Sequence, residues 1–75
     1  MHSNLTRRNL IKLRKIKSYT QKELAKVLGI TERQYRRLEA GTSGGNMKRW
    51  QYLAKLFDTT VDHLLEQTED GHASP

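Results

Sequence analysis

Apolar residues recur at intervals of three and four along most of this chain, and no stretch alternates strictly between apolar and polar positions. The first spacing places apolar side chains on one side of an α-helix, whereas alternation would indicate a half-buried strand. The only proline is Pro75, where it interrupts no helix. The pattern therefore predicts an all-α fold.

Five short helices are predicted, over about residues 5–17, 20–28, 32–40, 47–57 and 61–66. We expect residues 1–66 to form one domain and residues 67–75 to form a flexible, solvated tail. The core-facing positions expected in the first, second and fourth helices are Leu10, Leu13 and Ile16; Leu24, Ala25, Val27 and Leu28; and Met47, Trp50, Leu53, Ala54 and Phe57.

The ends of the helices carry local signals. Thr20 can cap the second helix while Glu23, three residues later, completes a capping box, and Thr31 and Gln34 repeat this pattern at the third helix. Gly29 suits the left-handed backbone that ends a helix, so the second helix should stop there. The other helix ends are marked by Gly41, Asn46 and Thr60.

Composition excludes several classes of protein. A chain of 75 residues makes one domain, and it buries only about 60% of the surface that its unfolded form exposes, so a large active-site cavity is not expected. The chain lacks cysteine and has no long apolar run. We therefore expect no disulfide, no signal peptide and no membrane span, and a cytoplasmic location.

Neither catalysis nor metal binding is predicted. His63 and Glu66 have helical i, i+3 spacing, but a lone pair of this kind is typical of a helix surface rather than a metal site. His2 and His72 lie near the chain ends, and we find no nucleophile motif and no glycine-rich phosphate loop. We therefore expect a protein that is not an enzyme and that needs no cofactor.

The charge is strongly basic and unevenly distributed. The chain has 14 Lys and Arg against 8 Asp and Glu, a net charge of +6. Residues 1–19 contain six basic residues and no acidic one, whereas residues 42–75 contain three basic and five acidic residues. Such a balance indicates nucleic acid, an anionic membrane or an acidic partner. Membrane binding is disfavoured, because the most basic helix needs its apolar side for the core.

The third helix places Arg33, Arg36 and Arg37 on the side opposite Tyr35 and Leu38. A charged helix face is often only solvated surface. Here arginine is used three times and lysine never, which suits the two acceptors of guanine in the major groove. The polar start of the second helix, residues 20–22, also offers unpaired N–H groups that could bind a phosphate.

The stretch TQKELAKVLGITERQYRRLEAG, residues 20–41, resembles the helix-turn-helix of phage repressors and Cro proteins, also called the XRE family. Similarity extends over about residues 7–66 and implies a compact five-helix domain like the DNA-binding domain of lambda repressor. The motif positions that carry the resemblance are Thr20, Gln21, Glu23, Leu24, Ala25, Gly29, Ile30, Thr31, Leu38, Glu39 and Gly41.

The resemblance implies roles for several residues in and around the motif. The third helix would read base edges through Glu32, Arg33, Arg36 and Arg37. Arg14 and Glu39 would form a structural ion pair between the first and third helices. The resemblance and the polar start of the second helix place Thr20, Gln21 and Lys22 at phosphates. The sequence departs from the family pattern at Tyr35, which replaces a small aliphatic residue, and in the loop TSGGN, which lacks the family's Lys or Arg. There the expected phosphate contacts are the Tyr35 hydroxyl, the Ser43 and Gly44 amides and Lys48.

The expected function is that of a sequence-specific, double-stranded DNA-binding transcriptional regulator. We expect a small repressor of phage, prophage or plasmid type that binds a palindromic operator as a homodimer. A restriction-modification controller, an antitoxin-like autoregulator and a protein-interaction module are the alternatives. Tyr52 and Leu56 either receive the fifth helix or contact a second subunit. The residues expected at the dimer interface are Tyr52, Leu56, Val61 and Leu65.

Overall fold

A computed structural model describes residues 5–69. Five helices account for most of these residues, which confirms the all-α class. The elements in chain order are β1 (Leu5–Thr6), α1 (Arg8–Ile16), α2 (Gln21–Leu28), α3 (Glu32–Ala40), α4 (Met47–Leu56), α5 (Val61–Leu65) and β2 (Thr68–Glu69).

Capping boxes begin α2 and α3. The Glu23 N–H donates to Thr20 Oγ1 at 3.0 Å, and the Thr20 N–H donates to Glu23 Oε1 at 2.9 Å. Thr31 and Gln34 repeat both bonds at α3. Between the two helices, Gly29 has φ 74°, a left-handed conformation that glycine adopts without steric cost. Local sequence thus fixes where α2 ends and α3 begins.

One hydrophobic core joins all five helices. Trp50 of α4 is the largest of the fully buried side chains, and Tyr35 of α3 packs into the same cluster. Every helix contributes at least one buried residue, so no helix is only peripheral. The buried apolar residues are Leu10, Leu24, Ala25, Tyr35, Leu38, Trp50, Leu53, Ala54, Phe57 and Leu64.

Three residues predicted to face the core are exposed instead. Ile16 is 72% exposed, Met47 53% and Val27 44%. Ile16 is the last residue of α1, Met47 is the first of α4, and Val27 lies in the last turn of α2. Side chains at helix ends extend beyond the neighbouring helices that cover the middle turns. The helical period alone does not contain this information, and these three predictions were wrong.

The first helix starts later than predicted because a small sheet precedes it. Leu5 and Thr6 pair antiparallel with Glu69 and Thr68, and α1 begins only at Arg8. The fourth and fifth helices each end one residue earlier than predicted, and the bounds of α3 coincide with the prediction. Residues 67–69, assigned to the tail, contact the folded part of the chain. Residues 1–4 and 70–75, including His2 and His72, lie outside the described residues.

Within residues 5–69, none of the five helices combines the length and the apolar character that a membrane crossing requires.

Candidate nucleic-acid interface

The outward face of α3 carries the four predicted base-reading residues. Arg33, Arg36 and Arg37 are exposed and Glu32 is half-buried, whereas Tyr35 and Leu38 point into the core. Arg36 Nη1 lies 2.9 Å from Glu32 Oε2, an i, i+4 ion pair whose side chains are 54% and 40% exposed. Packing of the apolar side therefore holds the arginines toward solvent.

Glu39 fixes α3 against α1 and α2. Its carboxylate is buried and accepts hydrogen bonds from Arg14 Nε at 2.5 Å and from Tyr35 Oη at 2.6 Å. Arg14 Nη2 and Gln21 Nε2 donate to the other carboxylate oxygen at 3.4 and 2.9 Å. Arg14 and Glu39, expected as an ion pair, thus lie together within a larger network that joins three helices.

The network shifts the pKa values of Arg14 and Tyr35. Burial alone would lower the pKa of Arg14, but hydrogen bonding and attraction to Glu39, with a smaller contribution from Tyr35, outweigh it and raise that pKa. The pKa of the Tyr35 hydroxyl is raised, first by burial and then by its hydrogen bond to the Glu39 carboxylate. Arg14 therefore stays charged and Tyr35 neutral at physiological pH.

The predicted contact between Tyr35 and phosphate was wrong. The Tyr35 side chain has 0% exposure, and its hydroxyl proton is donated to Glu39. The ring fills core space beneath α3, so the hydroxyl is buried with the ion pair and does not reach the surface. Tyr35 is a structural residue.

A groove of about 480 Å³ separates the N-terminal part of α2 from the end of α1 and the start of α3. The predicted phosphate contacts Thr20, Gln21 and Lys22 all lie on it. The Gln21 and Lys22 N–H groups have no acceptor within their own helix, because they belong to its first turn. The residues that line the groove are Arg14, Lys15, Ser18, Tyr19, Thr20, Gln21, Lys22 and Glu32.

Lys15 was not predicted from the sequence. It is exposed on α1 and lines the groove beside Lys22. Its sequence context does not distinguish it from Lys12, the other lysine of α1, which does not line the groove.

The loop after α3 contains the remaining predicted phosphate contacts. The Ser43 carbonyl accepts from Arg7 Nη1 at 2.7 Å, and the Gly44 carbonyl accepts from Trp50 Nε1 at 2.6 Å. Lys48 is exposed in the first turn of α4. The loop and the groove therefore lie at opposite ends of α3, since the groove includes Glu32 at its start.

Arg7 is a second residue that the sequence analysis missed. It is only 5% exposed, and burial lowers its pKa. In the sequence it precedes Arg8 and resembles an ordinary solvated charge. No local pattern distinguishes it, because its contacts lie more than 30 residues away along the chain.

The predicted dimer residues do not share one environment. Tyr52 is 47% exposed, whereas Leu56, Val61 and Leu65 are partly buried and pack against the core. Tyr52 and Val61 line one groove of about 530 Å³ between α4 and α5. Of the four, only Tyr52 presents a large exposed apolar side chain.

His63 and Glu66 both accept hydrogen bonds from the side chain of Asn9. Asn9 Nδ2 donates to the His63 carbonyl and to Glu66 Oε1, both at 2.9 Å, which joins α1 to the end of α5. Among residues 5–69, no three His, Cys, Asp or Glu side chains form a group that could hold a metal ion.

α2, the glycine turn and α3 together form a helix-turn-helix unit, with the charged face of its second helix outward. A family model described as "Helix-turn-helix" matches residues 10–64. The chain belongs to this family, and the resemblance to XRE-type helix-turn-helix proteins is confirmed.

Two curated relatives come from Bacillus subtilis (strain 168). The "HTH-type transcriptional regulator AnsR" is 36% identical over 66 residues, which cover 88% of this chain and 57% of that protein. The "Uncharacterized HTH-type transcriptional regulator YobD" is 34% identical over 61 residues, covering 81% of this chain and 54% of that protein. The chain thus spans little more than half the length of these relatives. No solved structure matches it.

Proposed function

We propose that this protein is a sequence-specific, double-stranded DNA-binding transcriptional regulator. The observation that carries the proposal is the outward face of α3, where Arg33 and Arg37 are exposed while Glu39 anchors the opposite side of the helix. A rigid helix with projecting arginines suits the major groove, whose guanine edges accept two hydrogen bonds from one guanidinium. The relatives, named as HTH-type transcriptional regulators, support this function.

In this proposal the outward residues of α3 each contact a different base or phosphate. Arg33 and Arg37, about one helical turn apart, each donate to a guanine. The Glu32–Arg36 pair is solvent-exposed, and such pairs contribute only about 0.2–1 kcal/mol. Glu32 can therefore exchange its partner for a cytosine amino group, and Arg36 can turn to a base or a phosphate.

Phosphate contacts would flank α3 at both ends. The groove residues Thr20, Gln21 and Lys22 lie beside the start of α3, and Ser43 and Gly44 follow its last turn. Lys48 lies just after the loop, in the first turn of α4. Phosphate contacts at both ends of α3 would fix how deeply α3 enters the major groove of the DNA and which base pairs it faces.

We further propose that the protein binds as a two-fold homodimer to a palindromic operator and acts as a repressor of phage, prophage or plasmid type, in the cytoplasm. One α3 reads only about four to five base pairs, so useful specificity requires two half-sites. Tyr52, with Val61 beside it, is the proposed centre of the dimer contact. A restriction-modification controller and an antitoxin-like autoregulator are the alternatives.

Selection of preferred duplexes from a random pool tests the proposal. We expect enrichment of a palindromic motif with guanines in each half-site, spaced by about one helical turn. A pool that stays unenriched at physiological salt would contradict DNA reading and would favour a protein-interaction module built on the same face.

A further inference from the structure

Arg7 is a buried cation that joins three parts of the molecule. Its Nη1 donates to the Leu38 carbonyl at 2.8 Å and to the Ser43 carbonyl at 2.7 Å. Its guanidinium carbon lies 4.9 Å from the centre of the Trp50 ring. Arg7 therefore contacts the last turn of α3, the following loop and α4 at once.

Within residues 5–69, no carboxylate offsets this burial, since Arg7 forms no ion pair there and its Nε has no hydrogen-bond partner. The carbonyl end of α3 supplies partial negative charge, but an apolar side chain of similar volume would often stabilise a fold as well as a buried charge does. Unlike an apolar side chain, a guanidinium fixes the direction of its hydrogen bonds, because its planar N–H groups hold their acceptors at fixed angles.

The acceptors that Arg7 and Trp50 hold are consecutive carbonyls of the loop. Arg7 binds the carbonyl of Ser43, and the Trp50 indole N–H binds that of Gly44. In a trans peptide the C=O and the following N–H point in opposite directions. Because both carbonyls point inward, the N–H groups of Gly44 and Gly45 point away from the core.

Glycine at position 45 allows this arrangement. Gly45 has φ +65°, and a Cβ there would lie 3.0 Å from Leu38 Cδ2 and 3.1 Å from Trp50 Nε1. The loop backbone thus packs directly on the residues that hold it. Gly44 meets no such limit, since a Cβ there would have nothing within 4 Å.

We propose that Arg7, together with Trp50, is a positioning residue for DNA binding that holds the two loop carbonyls inward and so directs the Gly44 and Gly45 amides toward a phosphate of duplex DNA. The inference rests on the proposed function and extends it. Arg7 touches no DNA itself and acts through the loop. Its effect falls on affinity for any duplex, because phosphate contacts are independent of base sequence.

The test compares Arg7→Met with Lys12→Met, which removes the same charge from an exposed position of α1. Affinities are measured for the selected duplex and a scrambled one, below the melting temperatures recorded by circular dichroism. Arg7→Met should weaken both complexes about tenfold and leave their ratio unchanged, the effect of misplacing charge-assisted hydrogen bonds. Lys12→Met should weaken both less than about threefold. Equal losses in the two variants, or a loss confined to the selected duplex, would overturn the proposal.

A second measurement needs no DNA. Hydrogen exchange of the Trp50 indole N–H, whose acceptor is the Gly44 carbonyl, should accelerate in Arg7→Met, while the Leu53 amide of the same helix keeps its rate. Equal acceleration at Leu53 would indicate general destabilisation and would contradict a positioning role. If the parent protein itself prefers no duplex, the proposed function fails. If the parent binds and Arg7→Met behaves as Lys12→Met does, only the role of Arg7 fails.

Discussion

Glu39 receives hydrogen bonds from side chains of α1, α2 and α3. A buried carboxylate is costly to desolvate, and here Arg14, Gln21 and Tyr35 compensate that cost together. Removal of the carboxylate would leave the Arg14 charge partly buried and the Tyr35 hydroxyl without its acceptor. The stability of the fold therefore depends on one residue of α3 whose side chain is buried and lies away from the proposed DNA-binding face.

We expect Glu39→Ala to lower the free energy of unfolding by about 1–3 kcal/mol, because it leaves a buried charge and other donors unpaired. Urea unfolding at pH 7 measures the change. Glu32→Ala is the matched control on the same helix, and its exposed ion pair should contribute no more than about 1 kcal/mol. Equal losses in the two variants would show that the network around Glu39 does not stabilise the fold.

Tyr35 predicts a dependence of stability on alkaline pH. Its pKa is raised in the folded protein, so above about pH 10 only the unfolded chain loses this proton. In that pH range the folded state binds more protons than the unfolded state. The contribution of Tyr35 to the free energy of unfolding therefore falls by about 1.4 kcal/mol per pH unit.

The Tyr35→Phe variant has no such proton. It should be less stable than the parent at pH 7, and the difference should shrink from about pH 10 upward. Urea unfolding of both proteins at several pH values measures this, and the exposed ionisable groups cancel in the comparison. Parallel curves over the whole alkaline range would contradict the burial of the Tyr35 hydroxyl proton.

At the scale of elements, α3 and the groove beside α2 are proposed to do different work. Arg37→Ala should weaken binding to the selected duplex by about 1–3 kcal/mol and relax preference at one position of each half-site. Lys22→Ala should weaken all duplexes alike and reduce the salt dependence by about one unit of slope. Titrations against selected and scrambled duplexes at several salt concentrations separate the two. A uniform loss for Arg37→Ala would place that residue among the phosphate contacts.

The ends of α2 and α3 could be predicted because their causes are local. Thr20 and Glu23 lie three residues apart, and Gly29 acts through its own backbone angle. The exposure of Ile16 and Met47 could not be predicted in this way. It depends on which helix covers which turn, and that is settled by packing between distant segments rather than by the period of either helix.

The candidate site, like the fold, could be predicted only where its causes are local. The outward position of Arg33 and Arg37 follows from the helical period once Tyr35 and Leu38 are buried. The sequence did not reveal that the Tyr35 hydroxyl turns to Glu39, since an aromatic residue at a core edge can place that group in water equally well. The burial of Arg7 could not be predicted because, like the exposure of Ile16, it depends on packing between segments that are distant in the sequence.

At the scale of the whole molecule, the proposed dimer depends on a small apolar contact. Tyr52→Glu should leave the melting temperature of the free protein within a few degrees, because the side chain is 47% exposed. It should shift the mass of the DNA complex toward one protein per duplex, since burying the new charge between subunits is costly. Mass measurement of the complex checks this. An unchanged two-to-one complex would place the dimer contact elsewhere.

The pairing of Leu5–Thr6 with Thr68–Glu69 brings the two ends of the described chain side by side. A short linker that joined residue 69 to residue 5, and so closed this part of the chain into a ring, would therefore need little rearrangement of the fold. Cyclisation restricts the unfolded chain far more than the folded one, and for a ring of this length chain entropy sets a limit of about 4 kcal/mol. A backbone-cyclised form should melt at a higher temperature than the linear chain while α3 and its arginines stay open to solvent.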